Sequence, residues 1–108
     1  MQLTTETFRD VIVAHAPDEL NHERAEPFVE FVTGLVPRNV VMDLDGTELL
    51  DSSGLEALLN AQRGLREDGG ELKISTTNVT NRKILEITRL DNEFEVYESV
   101  IDAVKSYS

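Results

Sequence analysis

Short apolar runs alternate with longer segments of helical periodicity along this chain, and this alternation constrains the fold more than any other feature. Residues 39–44 are almost continuously apolar, as expected for a central strand of a sheet. Segments that start near His22 and Ser52 carry apolar residues every three or four positions, which is typical of helices with one buried face. Strands that alternate with helices through short connections predict an α/β domain.

The same patterns predict the remaining elements. Gly34 and Pro37 end the first helix, and Asp68, Gly69 and Gly70 end the second. The other predicted elements are strands at residues 4–8, 11–14, 72–75 and 94–97, a helix at residues 80–88 and a last helix capped by Ser99. We therefore predict one domain over residues 1–108, built as a small mixed sheet of four or five strands with about four helices packed against it.

The charge of the chain limits the partners that it can bind. The 21 acidic and 10 basic residues give a net charge of −11. Such a chain is repelled by nucleic-acid phosphates and by anionic headgroups, and it complements a protein with a basic face. No apolar run approaches the roughly 20 residues that cross a bilayer. We expect a cytoplasmic protein with no nucleic-acid partner and no membrane insertion.

The content of metal-binding residues is low. The chain has no cysteine and two histidines, His15 and His22, neither of which has a second histidine at ligand spacing. We expect His15 to end a strand and His22 to lie solvated at a helix start. We predict neither a metal site nor a cofactor.

Residues 40–47 run from an apolar strand into Asp-x-Asp-Gly-Thr, which resembles the first motif of the haloacid-dehalogenase phosphatases. That resemblance implies Asp43 as nucleophile, Asp45 as acid and base, and Mg²⁺ bound between them and the phosphate. The family also needs a later cation and a distal acidic pair. Too little chain follows Asp43 for a complete core of that type, and the strand alternation turns Lys73 away from the apolar face. We favour a structural explanation, with Asp43 ending a core strand and Asp45-Gly46 forming a turn.

The tetrad Asp51-Ser52-Ser53-Gly54 follows a strand and opens an amphipathic helix, which resembles the signature of STAS domains (sulfate transporter and anti-sigma-factor antagonist). The central strand at residues 40–43, the glycine stop and strand at residues 68–72, the short helix at residues 82–90 and the last strand and helix occur in the order typical of that family. Arg89 stands where the family usually has glycine.

The resemblance implies a non-enzymatic binding module with no catalytic residues of its own. In its antagonist members, a partner anti-sigma kinase phosphorylates the serine that precedes the glycine. That position is Ser53 here, with Ser52 as the second choice. The implied partner is an anti-sigma factor that is also a serine-protein kinase. The implied partner-binding residues are Asp51, Ser52, Ser53, Gly54 and Glu56.

Two alternatives stay open. Ser53-Gly54-Leu55-Glu56 has the form of a capping box, in which Ser53 would accept a hydrogen bond from the Glu56 N–H and serve only the helix. The chain also fits a STAS subunit of a transport or sensory assembly, in which the same surface docks permanently and Ser53 is never modified.

Overall fold

A five-stranded mixed sheet forms the centre of the protein in a computed structural model, which describes residues 1–107. The strands are, in chain order, β1 (Thr5–Phe8), β2 (Val11–His15), β3 (Glu19–Leu20), β4 (Asn39–Asp43), β5 (Leu49–Leu50), β6 (Glu71–Ser75) and β7 (Val96–Tyr97). The sheet order is β1-β2-β4-β6-β7, in which β1 is antiparallel to β2 and the other neighbours are parallel. The short strands β3 and β5 form a separate parallel pair.

Four helices connect and cover these strands, namely α1 (His22–Thr33), α2 (Ser52–Glu67), α3 (Val79–Ile87) and α4 (Val100–Lys105). The predicted architecture of a mixed five-stranded sheet with four helices is confirmed. Each helix begins after a side chain that accepts a hydrogen bond from a first-turn N–H, and these caps are Asn21, Asp51, Asn78 and Ser99. A polar cap at every start explains why the helices begin where they do.

The larger core lies between the sheet and helices α1, α2 and α3. Alternate residues of the central strands, such as Val40 and Met42, point into this core because successive side chains of a strand face opposite sides. They meet Phe28 of α1, Leu58 of α2 and Leu85 of α3 there.

Helix α4 packs on the opposite face of the sheet. Ala103 of α4 joins Val13 and Val41 in a smaller core. The side chain of Lys73 lies on this face, as its alternation predicted, with its Nζ 2.8 Å from Ser106 Oγ and 4.2 Å from the centre of the Tyr107 ring. This lysine is nearly buried, and its contacts fasten the C-terminal segment to the sheet.

The β3–β5 pair was not predicted as a second sheet, because two residues are too few to show a period. Its inward residues, Leu20 and Leu50, are buried in the larger core. The pair supports the start of α2 and therefore decides where that helix begins. Within residues 1–107, no helix is long and apolar enough to cross a membrane.

Candidate functional site at the start of α2

The first turn of α2 is capped by Asp51. Its carboxylate accepts a hydrogen bond from the Gly54 N–H at 2.9 Å, and its carbonyl accepts from the Leu55 N–H at 2.9 Å. Ser53 therefore lies inside the helix as its second residue, two positions after the cap. The capping-box interpretation of Ser53 and Glu56 is wrong. Aspartate is as good an N-cap residue as serine. Asp51 directly follows β5, so it reaches the cap position before either serine.

Gly54 holds this turn against the β3–β5 pair. The residue is buried, and a Cβ atom at this position would overlap the backbone carbonyl oxygen of Leu20. A side chain of any other residue type would push α2 away from β3. The glycine of the tetrad thus sets the position of the helix start, while the exposed part of the tetrad belongs to its neighbours.

The hydroxyl of Ser53 is left without a partner by this arrangement. Within residues 1–107 its side chain makes no hydrogen bond, and it is only partly buried. Ser53 opens into a groove between α1 and α2 that is also lined by His22, Ala25, Glu26, Val29, Glu56, Ala57 and Asn60. Ser52, the first helical residue, is exposed. Both candidate serines are therefore accessible from outside.

The groove that Ser53 lines also contains two acidic side chains. Glu26 of α1 and Glu56 of α2 are exposed and line it together with Ser53 and His22. An additional negative charge on Ser53 would meet like charges across the groove. At the same time, the start of a helix favours negative charge, so the helix itself tolerates it.

The structure brings together the predicted residues of the tetrad and Glu56, and it adds His22 and Glu26 from α1. The contribution of α1 was not predicted from the sequence. The four-residue spacing of His22 and Glu26 shows that they share a face of the helix, but no sequence signal shows that this face lies beside Ser53. His22 is exposed at the start of α1, as predicted.

The aspartates of the phosphatase-like motif lie at the end of β4 and serve the protein's own hydrogen bonds. Asp43 accepts from the Asp45 N–H through Oδ1 at 3.0 Å and contacts His15 Nδ1 through Oδ2 at 2.8 Å. Asp45 accepts from the N–H and the hydroxyl of Thr77. Both oxygens of Asp43 are engaged, as expected for a residue that ends a core strand. Within residues 1–107 no group of three or more acidic, histidine or cysteine side chains is arranged to hold a metal ion.

The STAS domain family matches residues 2–103. The chain belongs to the STAS domain family. Among curated STAS relatives, the anti-sigma F factor antagonist of Paenibacillus polymyxa is 22% identical over 96% of this chain and 92% of its own length.

Solved STAS structures share the fold. An anti-sigma factor antagonist from Mycobacterium paratuberculosis superposes with a TM-score of 0.84 at 24% identity, covering 97% of this chain and 92% of its own. The Bacillus cell fate determinant SpoIIAA in its phosphorylated form superposes with a TM-score of 0.70 at 19% identity, covering 99% of this chain and 100% of its own. At these identities the similarity establishes the fold of this STAS domain.

Proposed function

We propose that this STAS protein is an anti-sigma-factor antagonist whose binding to an anti-sigma factor is switched off by phosphorylation of Ser53. The partner is a serine-protein kinase that supplies ATP, Mg²⁺ and the catalytic base, so the chain acts as a non-enzymatic binding module. The contact surface consists of Asp51, Ser52, Ser53 and Glu56, with Gly54 shaping it from beneath.

The observation that carries this proposal is the Ser53 hydroxyl. It lies in the first turn of α2, outside the helix-capping role that Asp51 fills, and has no hydrogen-bond partner in the described chain. A hydroxyl that the fold does not use and that opens to solvent is available to a docking kinase. Support also comes from relatives, which include a named anti-sigma F factor antagonist and a protein of this fold solved in a phosphorylated form.

The charges of the groove explain how a phosphate would act. Phosphorylation adds about −1.5 to −2 charges at pH 7. On Ser53 these charges would lie beside Glu26 and Glu56, at a surface complementary to a neutral hydroxyl. A penalty of ~3 kcal/mol weakens binding roughly a hundredfold. The positive end of the α2 dipole offsets the effect on folding, so binding is lost while the domain stays intact.

The modification test uses a cognate anti-sigma serine kinase. Incubation with that kinase and ATP is expected to add one phosphate to the wild type and to Ser52→Ala, and none to Ser53→Ala, as read by intact-mass spectrometry. Phosphate on Ser53→Ala but not on Ser52→Ala would move the site to Ser52.

The binding test compares Ser53→Asp with Thr7→Asp, which adds the same charge to an exposed hydroxyl position on the edge strand β1. By titration calorimetry, Ser53→Asp is expected to weaken binding about a hundredfold, whereas Thr7→Asp keeps the wild-type affinity. If Ser53→Asp binds as tightly as the wild type and no phosphate is transferred, the surface is a permanent docking face of a transport or sensory assembly.

A further inference from the structure

His15 lies between two carboxylates at the end of β2. Its Nε2 is 2.7 Å from Glu6 Oε1 on β1, and its Nδ1 is 2.8 Å from Asp43 Oδ2 on β4. The strand register explains both contacts. Asp43 is directly opposite His15 in the parallel pair, and Glu6 is opposite Val13, one diagonal position away on the same face.

The hydrogen bonds at both ring nitrogens require a particular protonation state. An ionised carboxylate only accepts hydrogen bonds, and a neutral imidazole has one N–H and one bare nitrogen. A neutral His15 would therefore turn a lone pair toward one of the two carboxylates at hydrogen-bond distance. The imidazolium form donates to both, and it is the form that matches these distances.

The surrounding charges support the imidazolium form. The hydrogen bond with Glu6 contributes most to raising the pKa of His15 above its ordinary value, partial burial opposes it, and the hydrogen bond and charge of Asp43 raise the pKa further. The charged groups that face His15 are Glu6 from β1 and Asp43 from β4. Across residues 1–107, neither carboxylate has another cation within ion-pair distance.

The two contacts of His15 differ in how firmly the fold holds them. The Asp43 side chain is 12% exposed and is also tied to the Asp45 turn, whereas the Glu6 side chain is 54% exposed. When the imidazolium loses one of its two ring protons, we expect the remaining N–H to stay with the more buried Asp43. We therefore expect the contact with Glu6 to break.

We propose that His15 is a pH-sensitive latch that fastens β1 to the sheet. Strand β1 is an edge strand with all four residues exposed, and in the described part of the chain it pairs with β2 alone. Below the pKa of His15 in free solution the imidazolium joins β1 to β4 across β2, and this contribution is lost as the pH rises through the higher pKa of the folded protein. A rise in pH through that pKa therefore loosens β1 while the rest of the sheet stays closed.

The test is an NMR titration of the His15 imidazole in the folded wild type, with the urea-unfolded chain as reference and His22 as a second signal in each spectrum. We expect the His15 midpoint to be higher in the folded chain and to fall in Glu6→Gln. The matched control Glu23→Gln removes an exposed α1 carboxylate that has no contact with His15, so it leaves the midpoint unchanged.

Amide hydrogen exchange measures whether protonation of His15 stabilises strand β1. Protection factors of the β1 amides, taken relative to those of β4, are expected to fall roughly two- to fivefold as pH rises through the His15 midpoint, the size typical of partly exposed ion pairs. In Glu6→Gln they are expected to be independent of pH. Equal midpoints in the folded and unfolded wild type, or wild-type β1 protection that does not follow the titration, would overturn the latch.

Discussion

The turn after β4 and the first turn of α2 are both short, acidic and glycine-containing, yet they differ in what they leave available. In the turn, the carboxylates of Asp43 and Asp45 are engaged with His15, a backbone N–H and Thr77. In the helix start, Asp51 takes the capping role and leaves the Ser53 hydroxyl without a partner. The chemistry available to a motif therefore depends on which of its groups the fold already uses.

The glycines of the two segments differ in how closely the rest of the fold approaches them. A Cβ atom on Gly46 in the turn would meet nothing within 4 Å, whereas one on Gly54 would overlap the Leu20 carbonyl. The helix start is thus tightly fixed where it touches β3 and open where Ser53 faces the groove. In the turn, the space around Gly46 is open, and the side chains of Asp43 and Asp45 hold the backbone by hydrogen bonds.

The greatest change in the free energy of unfolding is expected when Gly54 is replaced by alanine. Gly54→Ala gains helix propensity of about 1 kcal/mol but forces α2 away from β3, so we expect unfolding to become easier by about 3 kcal/mol net. Gly46→Ala is the matched control and should stay within about 0.5 kcal/mol of the wild type. Urea denaturation measures both. A Gly54→Ala variant as stable as Gly46→Ala would show that the contact with β3 is not rigid.

The second prediction concerns the support that α3 gives to the turn after β4. Asn81 of α3 is buried, and its side-chain amide donates to the carbonyls of Leu44 and Thr47. Asn81→Ala withdraws both donors from buried carbonyls and is expected to cost about 2 kcal/mol of unfolding free energy. Asn60→Ala, at an exposed position of α2, serves as control with a change below about 0.5 kcal/mol. Similar thermal unfolding of the two variants would mean that α3 does not support the turn.

The smallest expected effect separates the roles of Asp51 and Ser53. Asp51→Ala removes the cap and should lower stability by about 1 kcal/mol. Ser53→Ala removes no hydrogen bond found in the described chain and should change stability by less than about 0.5 kcal/mol. Chemical denaturation of the two variants under one condition decides the comparison. A larger loss in Ser53→Ala than in Asp51→Ala would return the capping role to the serine.

Several features of the site could be predicted and others could not. The position of Ser53 at a helix start followed from local periodicity and from the resemblance to STAS domains. Arg89 adopts a left-handed conformation with φ of 62°, which favours glycine and so explains why the family usually has glycine at this position. The contacts of His15 and the groove beside Ser53 join residues that are distant in sequence, so local patterns carried no information about them.

The strands of the central sheet, the four helices, the charge of the chain and the place of the tetrad at the start of α2 could all be read from the sequence, whereas β3 and β5 could not. The predictable elements follow from hydrophobic periodicity and turn residues, which act over a few neighbouring positions. The tertiary structure decided that Asp51 caps the helix, that Gly54 rests on Leu20 and that His15 joins Glu6 to Asp43. Those choices depend on strand register and on the close approach of separate elements, which are fixed only when the whole core packs.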